Sequence, residues 1–159
     1  MKIVLPVPAT EIRSDPAGNG SFKSKRGPRI HKGVDLVCEP GDLVVAPLGG
    51  WITKIGYPYA DDLSYRYVEI TSKSKLVCRI FYVEPTVELG HEVEAGDQVG
   101  FAQDVAERYK YDSRGGVRYR TNKMLPHVHV ELRCTEAHVA AKTKEKCVFL
   151  DLGLFFDLE

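Results

Sequence analysis

Apolar and polar residues alternate along this chain in short runs, each closed by Gly, Pro or a charged turn. Trp51–Ile55 reads W-I-T-K-I before Gly56, and Tyr65–Thr71 reads Y-R-Y-V-E-I-T. Leu76–Val83 is nearly continuous and stops at Glu84-Pro85. Val34–Val37, Leu43–Ala46, Val87–Val93, Gln98–Phe101 and Val128–Leu132 complete the set. A period of two, enriched in β-branched and aromatic residues, predicts strands. Turn residues recur at a spacing of roughly 8–12 positions, as in antiparallel sandwiches and barrels. The expected fold class is therefore all-β: a single antiparallel β-sandwich or barrel-like domain with long loops.

Only Gln103–Tyr109 reads as a helix. From Tyr111 to Pro126 the chain is polar, basic and contains Gly115-Gly116, which reads as a long loop. Loops of that length in compact domains are usually functional, and this one leads into the segment H-V-H, so it is expected to wall or cover a site. Residues 1–26 are rich in Pro, Gly, Ser and charge and read as an extended arm over a domain spanning 27–159. The segment Cys147–Leu158, C-V-F-L-D-L-G-L-F-F-D-L, is strongly apolar. Exposed, it would be a liability, so it is expected to pack back on the domain or to dock in a protein assembly.

Composition narrows the function classes. A chain of 159 residues suits one domain with its own core. Lys plus Arg and Asp plus Glu both number 22, and this balance speaks against nucleic acid or an anionic membrane as partner. No secretory signal or membrane-length apolar run is visible. Four cysteines, Cys38, Cys78, Cys134 and Cys147, form no C-x-x-C pair, so a thiolate zinc site is not expected. They read either as buried thiols or as two disulfides with three pairings.

Three of the five histidines lie in two compact motifs, H-K-G-V-D (His31 to Asp35) and H-V-H-V-E (His127 to Glu131). Residues two apart on a strand share a face, so His127 and His129 point the same way. His31 and Asp35 share a face in extended chain, with Gly33 between them allowing close backbone approach. Neighbouring strands carrying these pairs would gather three imidazoles and a carboxylate. That donor set suits Zn²⁺, whose catalytic sites use three protein ligands and keep one position open. One of the four groups would then remain to act on water or substrate. His91, in a hairpin, and His138 read as surface residues.

The motifs H-K-G-V-D, A-P-L-G-G-W-I, V-E-A-G-D-Q-V-G and H-V-H-V-E, in this order, resemble the lysostaphin-type (LytM-like, M23) metallopeptidases. The likeness runs from about Gly27 to Glu131, and F-L-D-L-G-L-F-F weakly echoes the family's closing segment. The resemblance implies that His31, Asp35 and His129 ligate zinc and that His127 is the catalytic histidine assisting the attacking water. It implies a substrate among the peptide cross-links of bacterial peptidoglycan. The family usually has a second catalytic His after a Tyr-Gly pair; the matching stretch here is F-Y-V-E-P, Phe81 to Pro85, with Glu84 at that place. An ionised Glu84 near a metal could act as a base, but it could not donate a hydrogen bond to a developing oxyanion. Chemotaxin-like relatives also lack that His, and this chain resembles them in H-K-G-V-D-L-V-C, F-Y-V-E-P and P-H-V-H-V-E. The likeness to them implies the alternative of a catalytically inactive zinc-binding module for signalling. A phosphocarrier is disfavoured because Asp35 would repel a phosphoryl group. A wall-cleaving enzyme without a visible signal suits a phage lysis or virion protein carried to the cell wall.

Overall fold

The structure, a computed structural model, describes residues 3–9, 11–114, 117–120, 124–135 and 147–155. Ten strands in two sheets build the frame: β1 (Val34–Val37), β2 (Leu43–Val45), β3 (Gly50–Gly56), β4 (Tyr67–Thr71), β5 (Leu76–Phe81), β6 (Val83–Pro85), β7 (Glu92–Val93), β8 (Gln98–Ala102), β9 (His127–Thr135) and β10 (Cys147–Leu150). The larger sheet runs β7-β3-β4-β5-β9-β10, with β1 also paired to β9; the smaller runs β6-β8-β2. All these pairings are antiparallel. The expected all-β antiparallel class is what the chain adopts, and none of the described sheets closes into a barrel.

Alternation explains the strands. On β9, Val128, Val130 and Leu132 turn inward and are fully buried, while His127, His129, Glu131 and Arg133 occupy the other parity. One hydrophobic core takes Leu36, Ile52, Val68, Ile70 and Ile80 from the larger sheet and Val44, Val83 and Val99 from the smaller. The two sheets are thereby sealed by the non-directional burial of their inner faces.

The N-terminal residues are woven into this frame. Val7 and Ala9 join the core, Ile12 bridges to Leu36, and Arg13 N–H donates to the Asp35 carbonyl at 2.8 Å. Two hairpins follow, Ser14–Asp15 with Gly18–Asn19 and Lys25–Arg26 with Arg29–Ile30.

Several expectations shift in detail. The helix is shorter, Val105–Arg108, and is capped by Asp104 accepting from Glu107 N–H. The expected strand over Val87–Val93 shrinks to β7, and the long run over Leu76–Val83 is cut at Tyr82, whose φ is 69°. There the chain leaves the larger sheet and enters the smaller, so β5 and β6 are separate strands. Tyr111–Pro126, read as a loop, holds an antiparallel pair of Tyr111–Arg114 with Val117–Arg120. The described part of the apolar C-terminal segment, 147–155, packs back: β10 pairs with β9 and Leu152 is buried in the core. Cys38, Cys78 and Cys134 are free thiols, while the side chain of Cys147 lies outside the described residues. No helix among the described residues is long and apolar enough to cross a membrane.

Candidate metal centre

Pairing of β1 with β9 sets Asp35 directly opposite His129, and β9 with β5 sets His129 opposite Phe81. His31 arrives on the turn just before β1. Gly33 permits that approach, since a Cβ there would strike the Val130 carbonyl and come within 2.9 Å of His129 Cε1. The three side chains converge: His31 Nε2 lies 2.9 Å from His129 Nδ1, His129 Nδ1 2.8 Å from Asp35 Oδ1, and His31 Nε2 3.1 Å from Asp35 Oδ1. Tetrahedral zinc with bonds of about 2.0–2.2 Å needs ligand atoms roughly 3.3 Å apart. The trio fits that spacing with little adjustment, and it is a His–Asp–His group able to hold a metal ion.

The outward atoms of these ligands are also held. His31 Nδ1–H donates to the Ser21 carbonyl at 3.0 Å, which turns its Nε2 toward the centre. His129 Nε2–H donates to Glu131 Oε1 at 3.0 Å. Asp35 Oδ2 receives Arg13 through Nε at 3.1 Å and Nη2 at 3.0 Å. Arg13 is itself 3% exposed and is held by Asp15, which also accepts from Leu125 N–H. Every ligand therefore has a second contact that fixes its orientation, as metal-binding imidazoles and carboxylates require.

Charge follows from the same contacts. Burial works against ionised Asp35, but hydrogen bonds from His129 and His31 and the nearby imidazole charges hold its carboxyl far below the usual carboxylate range. Burial likewise opposes a cationic His129, but the Asp35 and Glu131 contacts outweigh it and push its pKa up to about 9. Without a metal, Asp35 and Glu131 thus favour a proton on His129. A divalent ion can displace it.

His127 stands beside the trio. Its Nδ1–H donates to the Leu125 carbonyl at 2.7 Å, so Nε2 carries the lone pair, 3.8 Å from Asp35 Oδ2. Burial dominates the shift and lowers its pKa, which keeps the imidazole neutral and able to accept a proton.

The structure does not bring Glu84 to this cluster. Its side chain is exposed on β6, where it accepts from Gln103 Nε2 at 3.4 Å. Tyr82 faces the site instead, its ring 5.7 Å from that of His127 and perpendicular to it. The positive φ at Tyr82 breaks strand alternation, so the parity that would place residues 82 and 84 together fails at the step between sheets. Tyr82 is pinned by its N–H to the Arg66 carbonyl at 2.8 Å and by its own carbonyl, which accepts from Gln103 N–H. Burial pushes its phenol up to about 12, and its oxygen accepts from Tyr59 at 3.2 Å, leaving its own proton free to donate.

A cleft of about 390 Å³ opens over these groups, lined by His31, Asp35, His127, His129 and Tyr82 and by arginines 13, 26 and 29. Arg13, Tyr82, Arg26 and Arg29 were not singled out by motif. Arg13 and the hairpin arginines come from the N-terminal segment, where no periodicity marks them. Tyr82 lies within F-Y-V-E-P, where the family resemblance points to Glu84 and not to the tyrosine. His91 stands exposed, 3.8 Å from Glu88, and His138 lies outside the described residues.

Comparison with known proteins places the chain among related sequences and folds. Residues 29–141 match the model of "Peptidase family M23", more than half of the chain. Leukocyte cell-derived chemotaxin-2 of Bos taurus is 29% identical over 93 residues, 58% of this chain and 61% of that protein. The Mus musculus form is 29% identical over 124 residues, 77% of this chain and 74% of that protein. Among solved structures, the antimicrobial peptidase lysostaphin from Staphylococcus simulans superposes with a TM-score of 0.53 at 17% identity, covering 80% of this chain and 45% of that one. The chain thus spans under two-thirds of the bovine relative and under half of lysostaphin.

Proposed function

The chain belongs to peptidase family M23, and on that premise we propose that it is a zinc-dependent endopeptidase acting on peptide cross-links of bacterial peptidoglycan. The observation that carries the reading is the focus of His31 Nε2, Asp35 Oδ1 and His129 Nδ1 within 3.1 Å of one another, with a neutral His127 at its edge. These three residues would hold the zinc. Bound there, zinc would supply a Lewis acid that polarises a carbonyl and lowers the pKa of a water toward about 7.

The chain's own groups divide the remaining work. His127 Nε2 takes the proton of the attacking water as the carbon–oxygen bond forms, and returns it to the amine nitrogen as the carbon–nitrogen bond breaks. The products are one carboxylate and one amine. Tyr82, opposite His127, donates its hydroxyl proton in a hydrogen bond to the oxygen that gains charge on the scissile carbonyl. That is the contribution an ionised carboxylate could not make. Arg13 and Glu131 keep Asp35 and His129 aimed.

A second reading, a zinc-binding module without catalysis, is favoured by the likeness to the chemotaxin-2 proteins and by Glu84 standing in F-Y-V-E-P where the family resemblance expects a second histidine. Zinc-loaded protein incubated with peptidoglycan and with pentaglycine separates the two. The enzyme reading expects falling turbidity and new free amines. Stoichiometric zinc with no amine released from either material would leave the binding module.

A further inference from the structure

The hairpin Lys25–Arg26 with Arg29–Ile30 carries a feature that neither folding nor metal binding requires. Arg26 and Arg29 are directly opposite each other across its two strands, an arrangement in which like charges repel and cost stability. The turn between them is tight, with Gly27 at φ 58°. Both residues line the cleft over the metal centre and also an adjoining recess of about 320 Å³, which shares His31 and His129 with it.

Their charge is not locally compensated. Asp35 Oδ2, the nearest carboxylate oxygen, is already bonded twice by Arg13 and reaches Arg26 Nη2 only at 3.5 Å. The Arg29 side chain makes no hydrogen bond or ion pair among the described residues. Across the second recess Lys32 stands with Glu131, and Glu131 is engaged by His129. A divalent ion would add to the surplus. The chain as a whole is neutral, so this is a local concentration of positive charge at one mouth.

We propose that the Arg26–Arg29 pair is a carboxylate-binding subsite, so that the peptide this cleft takes carries a free carboxylate within about one residue of the bond held over the metal centre. The planar guanidinium fork matches a carboxylate in two parallel hydrogen bonds. An occupying carboxylate would also relieve the repulsion between the two arginines. The inference rests on the cleft being the peptide site, but not on hydrolysis taking place there. The carboxylate has two sources, a peptide's C-terminus or an acidic side chain.

Binding of zinc-loaded protein to three peptides at low ionic strength tests it: pentaglycine free acid, pentaglycine amide, and the amide with its central Gly replaced by Asp. One or both carboxylate peptides should bind about tenfold tighter than the neutral amide, the worth of one charged hydrogen-bonded pair. The preferred peptide identifies the source. In Arg29→Gln and Arg26→Gln, which alter an exposed hairpin, the advantage should fall below about threefold while zinc content stays unchanged. Equal binding of all three peptides overturns the proposal. So does an advantage that persists in both variants, because the carboxylate would then be held by the metal alone. Preference without any cleavage would remove the enzyme reading and leave this subsite standing.

Discussion

At the scale of single residues, roles divide by which atom faces the centre. Asp35 and His129 present ligand atoms, so Asp35→Asn or His129→Ala should lower zinc from one ion per chain to near zero, as measured by atomic absorption after dialysis. His127 presents its free Nε2 beside the trio and not within it. His127→Ala should keep the zinc and lose about 10²–10⁴-fold in hydrolysis, the usual worth of a general base; unchanged turnover would remove the assigned role. Tyr82 and Glu84 are a paired test. Tyr82→Phe removes only a hydroxyl and should lower kcat by about 10²-fold with little effect on KM. Glu84→Gln, at an exposed position on β6, should stay within about twofold of the parent. Reversal of that order in the same assay would put the carboxylate, and not the phenol, in the reaction.

At the scale of elements, the site depends on β9 being two things at once. Its inner parity anchors the core through Val128, Val130 and Leu132, and its outer parity carries His127, His129 and Glu131. Leu132→Ala should cost about 2–5 kcal/mol in urea unfolding, the range for emptying a fully buried leucine site, without changing the ligands. Gly33→Ala acts differently. Its methyl would meet the Val130 backbone and force β1 and β9 apart where Asp35 faces His129. Its loss of zinc affinity should therefore exceed what its stability loss explains, which zinc titration of the folded variant would show. The strand pattern and the two-residue spacing of His127 and His129 were legible in the chain, because alternation is a local property of extended backbone. The break at Tyr82 was not, because a positive φ in a non-glycine residue is set by the sheets it joins. The strand pairing within Tyr111–Pro126 was hidden because its sequence is polar and basic and shows no apolar alternation.

At the scale of the whole molecule, the metal-free centre couples protonation to folding. A base whose pKa rises from 6.5 to about 9 on folding, as at His129, stabilises fully below about pH 6.5 and loses that contribution as pH climbs through about 9. Asp35 is depressed from 3.8, so its contribution is present above that value and is lost as pH falls further into acid. Metal-free protein should accordingly weaken between pH 6.5 and 9, by on the order of 1–3 kcal/mol. Zinc-loaded protein should show the opposite trend over that window, because the ion competes with the His129 proton. Thermal melts with chelator and with excess zinc at both ends of the window decide this; parallel curves would contradict a proton held at His129. Zinc at a hundred times its dissociation constant should add about 2.7 kcal/mol. Amino-acid order alone determined the all-β class, most strands of the two sheets and the grouping of His31, Asp35, His127 and His129, because periodicity and motif spacing are written locally. Tertiary structure decided the rest: Arg13 behind Asp35, Tyr82 facing the site in place of Glu84, and Arg26 and Arg29 side by side over the cleft. Those contacts join segments far apart in the chain, and nothing in the spacing of neighbours encodes which distant side chains a shared core will press together.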